Sequence, residues 1–355
     1  MKKTLLAFAV LGAFAGAASA QSNVTVYGVV DAGIQYKNDG NPDGKTVGLE
    51  SGMQSGSRIG FKGTEDLGGG LSAIFTLENG FTADDGKAAQ GSRLFGRQAW
   101  VGLNGGFGTV KLGRQESALF LALNKVDPFS TNLAGNAQKV FGYGQYAADP
   151  FFRADNTLSY STANFGGFSA GASYSFGEKA GDNKANRSVA AAAQYANGPV
   201  NVQFAYQKSN TASLVDGLID PAAPTQTTAD IQTAFIGGTY DFRVAKAHLG
   251  FGDTKFERAG EPDLKARNWL VGVSAPVGAA GTVLASYVRN DFKDADNATS
   301  NQYALGYSHA LSKRTNLYTS YSYLKNDSDV ALNTYKSAQD GKSVRTFNVG
   351  VRHQF

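Results

Sequence analysis

The residues with most to offer chemically are four arginines and a few acids set in alternating segments. Arg58 shares a strand face with Gly60 and Lys62, opposite Ile59, Phe61 and Gly63. Arg153 keeps step with Asp155, Thr157 and Ser159, opposite Leu158 and Tyr160. Arg97 alternates with Ala99 and Val101, and Arg114 with Val110 and Leu112, so composition leaves the aim of these two open. In a segment crossing hydrocarbon, a guanidinium facing lipid costs ~2–4 kcal/mol at mid-membrane. That cost sends such a residue to a watery interior. Glu78 lies on the polar face of 71–79, and Glu116 and Asp127 lie in the long polar stretch 116–150. Acids folded across a narrow aqueous gap from arginines make a transverse field that orients dipolar solutes. Rings of charge also set ion preference. Three or four arginines against two or three acids predict an anion preference.

Other chemistry is thinly represented. Asp39-Gly40-Asn41-Pro42-Asp43-Gly44 followed by Glu50 fits a calcium-loop pattern. That loop normally sits between helices, strands flank it here, and Pro42 fits poorly. A solvated outer loop is expected, with Asp39, Asn41, Asp43 and Glu50 as a weak divalent-cation candidate. His248, His309 and His353 all fall in predicted strands, outside any metalloprotease, hydrolase or phosphate-loop motif. With no Cys, thiol catalysis and thiolate metal sites are excluded. No enzyme activity and no cofactor are expected.

The elements that must position these residues begin after an address. Lys2 and Lys3, the apolar run 5–18 and Ala18-Ser19-Ala20 describe a signal peptide over 1–20, leaving 21–355 as a single domain. The run is too short to span a bilayer. The remaining chain carries 31 basic against 29 acidic residues. That balance is too even for a nucleic-acid partner. Charged residues make up 17% and aromatics 12%, which excludes wholesale disorder.

From 23–36 to 343–355 the chain divides into sixteen alternating segments, the second read as one strand over 46–63 and the fourth as 91–104. In 347–355, Phe347, Val349, Val351, His353 and Phe355 oppose Asn348, Gly350, Arg352 and Gln354. Gly/Asn pairs mark tight turns between longer polar loops. A soluble sandwich would bury the apolar faces, whereas a membrane barrel turns them to lipid. The export signal, the even count and aromatics near segment ends (Tyr27, Trp100, Tyr160, Trp269, Tyr321, Phe355) favour the barrel. A closed barrel also pairs every backbone group where no water reaches.

Longer blocks carry a family resemblance: VTVYGVVDAGI (24–34), SRIGFKGTEDLGGGLSAIFTLE (57–78), GRQAWVGLNGGFGTVKLGRQ (96–115), Asp127-Pro128-Phe129 and the terminal Phe355. Over its whole mature length the chain resembles the general trimeric porins of Gram-negative outer membranes, of the Neisseria, Bordetella and Burkholderia type. The resemblance implies an all-β, 16-stranded antiparallel transmembrane barrel, a homotrimer, and a third loop over 116–151 folded inward to narrow the pore. It implies that Arg58, Arg97 and Arg153 form a basic wall at the constriction, with Arg114 as a fourth candidate. Asp127, Glu116 and Glu78 would supply the acidic side. Phe355 resembles the signal read by the barrel-assembly machinery. Lipid and lipopolysaccharide would surround the barrel, and ions and small hydrophilic solutes would pass through it. The rival readings are a channel specific for one substrate and an exported β-rich adhesin without a pore.

Overall fold

Period-two alternation folds into a ring. The computed structural model describes residues 23–40, 44–142, 151–213, 227–258, 260–330, 332 and 341–355; the segment 1–20, expected to be a signal peptide, lies outside them. Among the described residues the strands are β1 (Asn23–Asn38), β2 (Lys45–Ser51), β3 (Arg58–Gly68), β4 (Leu71–Gly80), β5 (Gln98–Gly105), β6 (Gly108–Glu116), β7 (Arg153–Ser161), β8 (Phe168–Ser175) and β9 (Ser188–Asn197). They continue as β10 (Val200–Ser213), β11 (Thr227–Asp241), β12 (Lys246–Arg258), β13 (Leu264–Val277), β14 (Gly281–Phe292), β15 (Thr299–Ala310), β16 (Thr315–Asn326) and β17 (Val344–Gln354).

Neighbours in sequence pair antiparallel, and β1 pairs with β17, which closes the sheet. Both β2 and β3 pair with β1, along Ala32–Asn38 and Asn23–Val29 respectively. They are two lengths of one stave, so the barrel has sixteen staves, as expected. The unbroken strand read over 46–63 is corrected: residues 52–57 leave the sheet between β2 and β3.

Asp31 organises that interruption. Its carboxylate is fully buried and accepts the N–H of Gln54 (2.9 Å) and of Ser55 (2.6 Å), and the Tyr318 hydroxyl. Its carbonyl accepts the N–H of Gly52 and the hydroxyls of Ser51 and Ser57. The closing seam is fixed at the last residue, where Phe355 and Gly28 exchange both backbone hydrogen bonds (3.0 and 3.1 Å). The Phe355 ring occupies the space that a Cβ on Gly28 would need.

Oily side chains point outward. Val24, Val26 and Ile34 of β1 are exposed while Asp31 and Gln35 are buried. On β13, Trp269, Val271 and Val273 are exposed and Asn268 is fully buried. On β17, Phe347, Val349 and Val351 are exposed and Thr346 and Asn348 are buried. An apolar band of this kind, around a sheet with closed hydrogen bonding, suits hydrocarbon rather than water.

The inner set is not polar throughout, which corrects the expectation of a uniformly wet interior. Phe235, Phe256, Leu270, Val288 and Phe292 of the wall are buried in one cluster with Leu119, Leu123, Val126 and Phe141 of the connection between β6 and β7. Two aromatics expected at the membrane girdle also differ. The Tyr27 ring packs over Gly60 and its hydroxyl bonds Glu78, while the Trp100 ring lies under Lys111 Nζ, 4.3 Å from its centroid.

The β6–β7 connection holds two short helices, α1 (Ala118–Val126) and α2 (Ala137–Val140). Ser117 begins α1, its hydroxyl oxygen accepting the Phe120 N–H (3.1 Å). Several bonds tie the connection to its surroundings in the barrel. Leu133 N–H donates to the Met53 carbonyl (2.6 Å), and Ala134 N–H to the Ser320 hydroxyl (3.0 Å). His248 Nδ1 donates to the Val126 carbonyl (2.7 Å), which leaves Nε2 to accept from Ser274 (3.0 Å).

Candidate functional site

The four predicted arginines meet on one side of the barrel, along β3 to β7. Glu78 of β4 is the hub. It accepts from Arg97 Nε (2.6 Å) and the Tyr27 hydroxyl (2.9 Å), and lies 3.8 Å from Arg58 Nη1. Arg58 also donates to the Ser55 hydroxyl (2.6 Å), so the interruption organised by Asp31 orients it. Arg153 donates from Nε to the Arg97 carbonyl (2.9 Å) and from Nη2 to Glu116 (3.2 Å). Arg114 donates to the Gly96 carbonyl (2.7 Å) and to Asp155 (2.7 Å), which also receives Arg93.

Local backbone departures resolve the two doubtful parities. Arg97 stands one residue ahead of β5 and so escapes that strand's alternation, under which it would share the outward face of exposed Val101. Arg114 shares its outward parity with exposed Leu112, but the register slips between Gly113 and Gln115. This bulge turns its side chain inward, where it is buried. Gly113 has φ of 128°, and a Cβ there would stand 2.2 Å from the Ala99 carbonyl oxygen. Glycine is therefore required for the re-aiming.

The acids stand otherwise than across the gap. Glu78 and Glu116 are interleaved with the arginines on the same wall. Asp127 is buried within the β6–β7 connection, where its carboxylate accepts the N–H groups of Phe129, Thr131 and Ala137 (3.0, 2.9 and 3.0 Å). Burial pushes its carboxyl up to about 6, against these three bonds, which favour the ionised form. Its work is to fold the segment.

Between the arginines and this segment lies a cavity of about 650 Å³. Arg58, Arg97, Arg153 and Arg352 line it with Lys139 and a single acid, Glu116. The α1–α2 side contributes Asn124, Thr131, Asn136 and Gln138. Four arginines of the wall thus face a hydrogen-bonding surface that carries a fifth cation, Lys139 of α2, with one carboxylate among them.

Asn41 and Asp43 of the calcium-like loop lie outside the described residues. Asp39 closes a turn through its N–H to the Gly44 carbonyl (3.1 Å), and Glu50 sits in β2 opposite Gly33. His309 and His353 bond Tyr307 and Thr315 at 3.0 and 2.8 Å.

This architecture has close parallels among known proteins. A family model described as Gram-negative porin matches residues 7–329. The chain belongs to that Gram-negative porin family. An outer membrane porin of Bordetella pertussis is 36% identical, and outer membrane porin protein 32 of Delftia acidovorans 39% identical, each aligned over all of both chains. An anion-selective porin from Comamonas acidovorans superposes with a TM-score of 0.81 at 35% identity, over 94% of this chain and all of its own. This porin is an outer-membrane β-barrel that serves passive diffusion.

The porin's cavity includes two cations that sequence reasoning passed over. Arg352 was visible as the basic member of the polar set on the last strand. Lys139 had no such signal, because α2 and its placement depend on the fold of the connection.

Proposed function

We propose that this porin passes small hydrophilic solutes and ions by diffusion, favouring anions, with the β6–β7 connection (116–151) narrowing the lumen. The carrying observation is the cavity in which Arg58, Arg97, Arg153, Arg352 and Lys139 surround one carboxylate. Charge of one sign lining an aqueous constriction raises the local concentration of the opposite ion. The anion selectivity stated for the Comamonas acidovorans porin supports the same reading. An opposing surface that bears Lys139 and no acid replaces the transverse acid-to-base field with one that is positive from both sides. Arg114 supports the wall from behind through Asp155, and Glu78 and Glu116 hold the arginines in place.

The porin works without cofactor or covalent step, as a homotrimer, the assembly that its family resemblance implies. Its apolar band meets lipid and lipopolysaccharide, and Phe355 is the residue read during barrel assembly. The test is the reversal potential across a planar bilayer in a KCl gradient. The expected sign is that of chloride over potassium, and Arg58→Ala moves the potential toward zero. A potassium-selective wild type overturns the proposal.

A further inference from the structure

A second chamber lies on the other side of α1. It has about 370 Å³ and sits between that helix and the wall from β5 to β10, at the small end of the ~300–1,000 Å³ range of small-molecule sites. Two ammonium groups reach it, Lys111 of β6 and Lys125 of α1. The bonded or stacked partner of each is polar or aromatic, and Glu116 acts on Lys111 only through its field. Lys111 Nζ rides on the Trp100 ring, whose Nε1 donates to Gln98 (2.9 Å). Lys125 donates to Gln194. Glu116, the one acid lining the chamber, is engaged by Arg153. Alanines such as Ala172 and Ala192 keep the far wall low, and Gln203 and Ser173 supply amides and hydroxyls along it.

We propose that this chamber is a binding site for small hydroxylated carboxylates, visited by solute beside the main constriction. The two ammoniums match a carboxylate, and the surrounding amides and hydroxyls match several hydroxyl groups. The cation–π contact holds Lys111 in place, so less side-chain freedom is lost on binding. The inference rests on the anion-passing reading above and adds to it a site of stated chemistry.

D-gluconate and propionate, each added to the full-length porin in a bilayer bathed in KCl, test it. Both are monovalent carboxylates, and only gluconate carries hydroxyls. Gluconate should reduce the chloride current saturably, and propionate only linearly. In Lys111→Met and in Lys125→Gln the half-blocking gluconate concentration should rise about tenfold, as loss of one charge-assisted hydrogen bond predicts. Lys125 lies on an exposed helix surface, so its variant keeps the test open should Lys111→Met fail to fold. Linear gluconate behaviour in the wild type, equal saturable block by propionate, or unchanged block in the variants that fold overturns the site. The KCl reversal potential of the same wild-type channels separates that failure from failure of anion preference.

Discussion

Residue identity acts here mainly through who neutralises whom. Glu78 satisfies Arg97 at 2.6 Å and stands 3.8 Å from Arg58, so of these two cavity-lining arginines Arg97 is the more closely neutralised and Arg58 keeps more of its field. Asp127 is the opposite case, a carboxylate kept from the solute path and used to fold a connection. Its folded value of about 6 lies above its ordinary 3.8. The folded state therefore binds this proton more tightly than the unfolded one. Stability from this group is greatest below about pH 4 and declines as pH rises to about 6. Asp127→Asn should remove that decline. Denaturant midpoints of wild type and variant between pH 4 and 7 measure it, and parallel curves would refute the assignment.

Elements matter through their irregularities. A perfect period-two strand aims Arg114 at lipid, and the bulge beside Gly113 returns it to the interior. Gly113→Val has to abandon a φ of 128° or collide with the Ala99 carbonyl. The expected loss of stability is ~1–3 kcal/mol, with a smaller anion preference as Arg114 loses Asp155. Unfolding midpoints and KCl reversal potentials read both, and a variant as stable and selective as wild type would dismiss the bulge as incidental. The break at 52–57 is the counterpart on the stave of β2 and β3. It removes six residues from the ladder, and its Ser55 reaches Arg58 while Met53 reaches Leu133.

The molecule as a whole depends on the seam between β1 and β17. Phe355 pairs with Gly28 in both directions and covers it with its ring. Phe355→Ala should lower the amount of folded protein in the outer membrane several-fold more than it lowers the denaturant midpoint of the folded fraction. Membrane fractionation with heat-shift electrophoresis checks this, and a normal yield would remove the assembly role. The wall is also asymmetric. Its apolar inner cluster from β11 to β17 grips the connection, while its basic side from β3 to β7 stays open to solute.

Much of this was legible in residue order alone. Period-two alternation shows itself locally, so the sixteen staves, their outward oily faces and the inward turn of Arg58 and Arg153 could be read from neighbours two positions away. Phe235, Phe256 and Phe292 also obey the alternation, but on the side that a pore reading assigns to water. Their burial in one cluster with residues of the β6–β7 connection explains them. Residue order determined the barrel because its pattern repeats every two residues and the cost of charge in lipid has one sign. The tertiary structure decided the break at 52–57, the bulge at Gly113, the burial of Asp127 and the arrival of Lys139 and Arg352 beside the arginines. Each of these depends on contacts between residues far apart in the chain, whose energies are set by distances that a linear pattern does not carry.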